Sequence, residues 1–385
     1  MNFLVINSGS SSLKFSYFQN EDCIISGMCE ELGSDRSKLK YEANGKKESL
    51  SIPLPSHADA ISEIQKHLGD KIDFNKLEVI VHRVVHGGEE FKKPLIINKE
   101  NLEKLKELNS LAPLHNPPNL LGLEVMMKLV PNAVQIAVFD TAFHSTLPEK
   151  AFLYGIPYEF YKKYHIRKFG FHGSSHAFVF SEAKRILNHA PSRVITAHLG
   201  NGSSLCAIKD GKSVDTTMGF TPLEGTMMGT RSGTIDPAIV TFLMTKENLS
   251  ISEVEKTLNK KSGLLGLSEL TSDMRILEEQ IETHPGAKRA ISVFCYHLTK
   301  FIGSYCAVLN GLDVLVFTGG IGEKSPIVRK SVCKELTYLG LELDEEKNLK
   351  NYGEISTQSS KVKVLVIKTN EELEMVREAK ALLKK

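Results

Sequence analysis

The sequence predicts an α/β protein built as two similar domains with a cleft between them. Three observations carry that prediction. Apolar, strand-like runs end in clusters of glycine and serine at three places along the chain. The first of these clusters is echoed about half a chain later. Helical segments alternate with the strands in both halves.

The opening "MNFLVINSGSSSLKF" reads as a buried strand at Phe3–Ile6, a small-residue turn, and a second strand at Leu13–Phe18, which is a hairpin by pattern. Residues 20–55 continue as short strands separated by turns, and "EVIVHRVVHGG" holds another strand ending in glycines. Lys99–Leu111 has helical spacing and stops before "APLHNPPN", whose prolines end it. "AVQIAVFDTAFH" is an apolar strand that terminates at Asp140. In the second half, "SRVITAHLGNGSSLCAIKDGKSV" is again strand, Gly/Ser turn and strand. Laid over the opening without gaps, Ser11, Ser12 and Leu13 meet Ser203, Ser204 and Leu205 at an offset of 192 residues, which reads as a duplication. "LDVLVFTGGIGEKSP" ends a strand in a glycine loop at Gly319–Gly322. "VKVLVIKTNEELEMVREAKALLKK" gives a strand and then a helix capped by Thr369 or Asn370, with acids in its first turn.

A chain of 385 residues exceeds one ordinary core, so two domains are expected. The 48 basic and 46 acidic side chains leave a net charge of +2, which supplies no global field for nucleic acid or an anionic membrane. The N-terminus enters a strand directly and no apolar run approaches a membrane span, so neither signal peptide nor spanning helix is expected. Six cysteines without CxxC spacing imply reduced, mostly buried thiols in a cytoplasmic protein.

Phosphate is bound by closely approaching backbone N–H groups and small hydroxyls, and glycine permits the approach. "SGSSSLK" offers both through Ser10 and Ser12, with Lys14 able to reach a terminal phosphate. The alternative is an ordinary turn; tight apolar flanks exclude a slack linker. A Walker A loop is excluded, because GxxxxGK[ST] is missing and a strand follows. Three such loops at strand ends suggest a nucleotide spanning two domains.

"LVINSGSSSLKF", "HRVVHGGE", "PLHNPPN", "FDTAFH", "FGFHGSSH", "ITAHLGNGSS", "MGFTPLEGTMMGTRSGTIDP", "FTGGIGE" and "KTNEE" together resemble the successive motifs of the acetate kinase/propionate kinase family. The resemblance covers essentially the whole chain. It implies two duplicated domains of βββαβαβα type with an interdomain active-site cleft, as in actin-like ATPases and other ribonuclease H-like folds. Domain I is then expected at 1–144 plus 372–385, and domain II at 145–371.

Phosphoryl transfer calls for positive groups around the moving oxygens. The resemblance implies that Arg83 binds the acyl substrate and that His172 and Arg231 stabilise the transition state, where such an arginine is worth about 10³ in rate. A lone arginine is ordinarily a surface charge; in "GTRSGT" Arg231 has no apolar face to cover. Asp140 matches an active-site acid, against the reading as a helix cap. A carboxylate substrate is already ionised at pH 7, so Asp140 is expected to orient a metal-bound water or an arginine and not to take a proton.

Asn7 and Glu371 match the family's magnesium positions, Glu371 alone reading as a helix N-terminal acid. The family usually has Asp where Asn370 stands. His172-x₃-His176 invites a zinc reading, which the intervening Gly173 and the lack of HExxH oppose. His115 is expected at the acyl site and His198 at the nucleotide phosphates, beside Leu199, Gly200, Asn201 and Gly202. Val85, Leu114, Phe171 and Pro222 match a small pocket for the substrate methyl, although they read equally as core. Asp273, Met274 and Arg275 correspond to a segment contacting adenosine, together with Gly319, Gly320, Ile321, Gly322 and Glu323.

These correspondences imply reversible transfer of the ATP γ-phosphoryl group to acetate with Mg²⁺, for which Mn²⁺ can substitute. ATP and acetate are the expected partners, with a homodimer implied by the resemblance, and neither nucleic acid nor membrane. Propionate or another short-chain acid is the rival substrate. An actin- or heat-shock-type ATPase binding module is the rival class, and it leaves Arg83 and "FGFHGSSH" without a role.

Overall fold

Strand β1 (Asn2–Ser8) buries Phe3, Leu4, Val5 and Ile6 on both of its faces, as a central strand must. Across the turn it pairs antiparallel with β2 (Ser12–Gln19), Ser8 opposite Leu13. The sheet continues through β3 (Asp22–Glu30), β4 (Lys38–Ala43) and β5 (Lys46–Ser51). On the other side of β1 lie β6 (Val79–Val84) and β8 (Val134–Phe139), both parallel, with the short β7 (Leu95–Ile96) at the edge. The order is β5-β4-β3-β2-β1-β6-β8-β7. Leu4 and Ile6 face helices His57–Leu68 and Asn116–Leu129; Phe3 and Val5 face helix Glu371–Leu383. In β4 the alternation is strict, Leu39, Tyr41 and Ala43 inward, because one face is solvated.

The second sheet comprises β9 (Arg193–Leu199), β10 (Ser203–Lys209), β11 (Lys212–Thr216), β12 (Val314–Thr318), β13 (Gly353–Glu354) and β14 (Lys363–Val366). Its order is β11-β10-β9-β12-β14-β13. Helix Pro285–Leu309 places Phe294, Leu298 and Ile302 in the core beneath this sheet. Helix Gly173–Leu187 packs on β9 and β12. Both sheets share one plan: three antiparallel strands in the order third, second, first, then two parallel strands. The duplication expected from the Ser/Gly echo is therefore present in the topology.

The computed structural model describes residues 1–113 and 115–384. The chain divides into two units: Met1–Ala142 together with the segment from Asn370 onward, and Phe143–Thr369. Both breaks fall two residues before the expected ones, after 142 and 369 in place of 144 and 371. Asn370 is the N-cap of the last helix, its Oδ1 accepting from the Leu373 N–H at 2.9 Å, so it and Glu371 travel with that helix into the first unit. Thr369 does not cap. A second correction concerns Gly319–Gly322, expected as a loop: it is the start of helix Gly319–Lys324. Gly319 turns the chain at φ +76°, where a Cβ would meet the Leu199 carbonyl oxygen at 2.7 Å, so glycine is required there. The six cysteines are unpaired. Among the described residues no helix is long and apolar enough to cross a membrane.

Candidate active site

In the first unit, the ends of parallel strands gather the acidic and basic residues. Arg83 lies on β6 and Asp140 follows β8, its N–H donating to the Val84 carbonyl at 3.2 Å. The guanidinium takes both carboxylate oxygens: Nε donates to Oδ1 at 2.9 Å and Nη2 to Oδ2 at 2.6 Å. Burial opposes the charge on Arg83, yet Asp140 more than offsets it, so the pKa rises above its ordinary value. Nη1 also donates to Oδ1 of Asn7 on β1 at 3.4 Å.

Asn7, Lys14, Arg83, Glu371 and Glu372 line one small cavity of about 30 Å³. Desolvation pushes the Glu371 carboxyl up to about 7; Arg83 opposes this, and the Asp140 and Glu372 carboxylates add to it. Lys14, exposed on β2, pairs with Glu372 at 3.1 Å. At the hairpin tip the Gly9 N–H donates to the Ser12 carbonyl at 2.8 Å, and the His57 Nε2–H donates to the Gly9 carbonyl at 2.7 Å. Ser10 stays exposed there.

Two asparagines of "HNPPN" shape the segment after β6. Asn116 bonds both the N–H and the carbonyl of His86 at 3.0 Å; Asn119 accepts the Val85 N–H at 3.0 Å and donates to the Ser8 carbonyl at 2.5 Å. Val85 is buried. His115 sits at the N-cap of helix Asn116–Leu129 without a side-chain cap bond. Leu114 lies outside the described residues. The other expected pocket residues, Phe171 and Pro222, belong to the second unit.

In the second unit, "FGFHGSSH" forms a tight turn into helix Gly173–Leu187. Gly170 adopts φ +78° against Thr216 and the His144 ring, and His172 is itself left-handed at φ +58°. His172 occupies the N-cap position of that helix. The buried His144 fixes the turn, its Nε2–H donating to the Phe171 carbonyl at 2.9 Å. His172 and His176 do not share a metal geometry; both rings reach Oγ of Ser204, at 2.9 and 2.8 Å. The His198 ring stacks on His172, centroids 4.3 Å apart, and its Nδ1 meets Oγ of Ser175 at 2.7 Å. Burial, then His144 and His198, hold the His176 pKa well below the usual value.

Arg231 donates from Nη1 to the Pro222 carbonyl at 3.1 Å, and burial lowers its pKa. A Cβ added to Gly202 would lie 3.4 Å from His172 Nε2 and 3.5 Å from Arg231 Nη1. The imidazole and guanidinium therefore converge over the glycine turn between β9 and β10, where Leu199 is buried behind them.

A larger cavity of about 510 Å³ brings together Gly200, Asn201, Asp273, Met274, Arg275, Gly320 and Ile321, all expected at the nucleotide, with Lys324 and Ser325 not foreseen. Asp273 caps helix Met274–Glu279 and pairs with Arg275 at 2.6 Å. Oε1 of Glu323 accepts the Gly319 N–H at 3.1 Å.

Behind helix Gly319–Lys324 stands Arg329, fully buried and, among the described residues, in no ion pair. Its five donors go to Asn348 Oδ1 (2.8 Å), the Gly322 and Glu323 carbonyls (2.8 and 3.0 Å), the Asn348 carbonyl and Asn351 Oδ1 (both 2.6 Å). Burial lowers its pKa to about 10. Sequence reading missed it, since "SPIVRKS" has the look of a plain amphipathic helix.

A model of the acetokinase family matches residues 2–377. An acetate kinase from Carboxydothermus hydrogenoformans is 50% identical over 391 residues, covering 98% of each chain. One from Thermosipho melanesiensis is 48% identical over 396 residues, covering 99% of this chain and 98% of the relative. The crystal structure of Porphyromonas gingivalis acetate kinase superposes with a TM-score of 0.94 at 41% identity, covering 99% of both chains. A propionate kinase from Francisella tularensis gives 0.94 and 41% over 98% of both.

Proposed function

The chain belongs to the acetokinase family, and on that premise we propose that it transfers the γ-phosphoryl group of ATP reversibly to a carboxylate oxygen of acetate, giving acetyl phosphate and ADP. The observation that carries the mechanism is the convergence of His172 Nε2 and Arg231 Nη1 over Gly202. A guanidinium and an imidazole N–H at one spot suit charge spread over the equatorial oxygens of a moving PO₃ group.

Acetate needs no base, being ionised at neutral pH. The Arg83–Asp140 pair agrees with this: both Asp140 oxygens are engaged by Arg83, which supports a role in aiming the arginine at the substrate carboxylate. The cavity lined by Gly200, Asn201, Asp273 and Ile321 supports nucleotide binding in the second unit, with Lys14 and the Ser10–Ser12 turn serving the phosphates. His115, Val85, Phe171 and Pro222 are assigned to the acyl group.

The residues at Asn7 and Glu371 fit Mg²⁺. Both are hard oxygen donors on one cavity, and burial together with the Asp140 and Glu372 carboxylates raises the Glu371 carboxyl despite Arg83 and Lys14, so a further cation beside it would favour its charged form. Two protein oxygens suffice for Mg²⁺, since phosphates and water complete its shell. Bound there, the ion would neutralise phosphate charge, and Mn²⁺ would serve similarly.

The reading includes a cytoplasmic homodimer. Helix Ala238–Lys246 supports the second copy: none of its residues is buried, and Phe242 is 60% exposed. Light scattering giving twice the chain mass would agree; a monomer would contradict it. Substrate choice is tested by rates with acetate, propionate and butyrate under Mg²⁺ and after chelation. One methylene is worth about 1–3 kcal/mol in such a pocket. Acetate should lead by tens-fold, and a propionate optimum would transfer the assignment to the propionate kinases.

A further inference from the structure

A continuous hydrogen-bonded line runs behind His172, entirely within the second unit. His172 Nδ1 lies 2.9 Å from Ser204 Oγ; the same oxygen lies 2.8 Å from His176 Nε2; His176 Nδ1 lies 2.7 Å from Thr196 Oγ1. Ser204, His176 and Thr196 are fully buried, so their polar atoms must satisfy one another.

Proton counting gives the line a direction. Thr196 Oγ1 has no other hydrogen bond among the described residues; donating to His176 Nδ1 pairs its proton, whereas accepting would leave a buried O–H unpaired, so we assign the proton to that bond. His176 is held neutral by burial and by the rings of His144 and His198. With Nδ1 accepting, its proton is on Nε2 and is donated to Ser204 Oγ. The proton of Ser204 is then left for His172 Nδ1.

We infer that Thr196, His176 and Ser204 are positioning residues that fix His172 as its Nε2–H tautomer, so that it presents a neutral N–H beside Arg231. The assignment rests on the role given to His172 above, and it deepens that role. One full charge, from Arg231, and one directed neutral donor would meet the phosphoryl oxygens. This gives the fixed N–H a direction that a free imidazole, divided between two tautomers, would lack.

The test uses the intact protein labelled with ¹⁵N-histidine, the His172 signals being identified from their loss in His172→Gln. At pH 7 the wild type should show a proton-bearing Nε2 and a proton-free Nδ1. Thr196→Val, isosteric and remote from substrate, should give mixed tautomers. Its kcat should fall about tenfold, the loss expected if the active form becomes a one-in-ten population, with both KM values nearly unchanged. Thr196→Ser should restore both properties. An Nδ1–H tautomer or an imidazolium in the wild type overturns the inference, as does an unchanged ratio or kcat in Thr196→Val. Full activity in His172→Gln would instead overturn the role of His172 in transfer, while the wild-type spectrum still decides the tautomer.

Discussion

Arg83 holds Asp140 by both carboxylate oxygens, at 2.9 and 2.6 Å, across the ends of two parallel strands. An aspartate so engaged has no oxygen turned to proton abstraction, and an arginine so engaged is aimed. Asp140→Asn would keep the shape and remove the countercharge. The aspartate is buried and the arginine about a quarter exposed, so removing one partner should cost up to about 3–5 kcal/mol, the cost for a fully buried pair. Denaturant titration should show a loss of that order, and the acetate KM should rise more than the ATP KM. An unchanged acetate KM would separate Asp140 from the acyl site.

Arg231→Ala should lower kcat by about 10³ or more and leave the circular dichroism spectrum intact. Its side chain is tied to the fold by the Pro222 carbonyl and a long contact to Met228 Sδ, so little folding energy is at stake. A kcat within tenfold of wild type would refute its assignment.

The hairpin, the half-chain duplication and the residues at strand ends were legible in the sequence because each has a local signature. Ser12 opens β2 and Ser203 opens β10 after similar small-residue turns, and the two sheets repeat one strand order. What stayed hidden acts through tertiary contacts. Ser204 reads as one more serine of a glycine turn, yet it joins two histidines 28 and 32 positions away in sequence. Gly319–Gly322 reads as a loop because glycine is a poor helix former. It is helical here because Glu323 takes the Gly319 N–H and Arg329 takes the carbonyls at the other end.

Arg329 supplies the next prediction. Arg329→Lys removes the fork that serves five acceptors and leaves buried carbonyls unpaired, at about 1–3 kcal/mol each. The thermal midpoint should fall and the ATP KM should rise, with the acetate KM little changed. Equal shifts in both KM values would argue against a specific support of the nucleotide helix.

Stability should fall on both sides of a maximum near pH 6. His82 and His86 are lowered to about 4 by burial, and His176 is also depressed. Their unfolded forms take up protons below about 6.5, so acid removes stability there. On the alkaline side, Glu378 is raised to about 8 by burial, then by Glu374 and Asp140; its Oε2 is shielded without a hydrogen bond among the described residues. A raised carboxyl favours the fold while protonated, and that contribution is lost as pH rises through about 8. Glu378→Gln should therefore gain stability at pH 9 and little at pH 5, as read by urea titration. A larger gain at pH 5 would reverse the sign.

The most direct measurement is capture of the product as a hydroxamate. Purified protein given ATP, Mg²⁺, acetate and hydroxylamine should yield acetyl hydroxamate in step with ADP, with the yield collapsing in both Arg83→Ala and Arg231→Ala. ADP released without hydroxamate, or either variant working at the wild-type rate, would contradict transfer to a carboxylate by these residues.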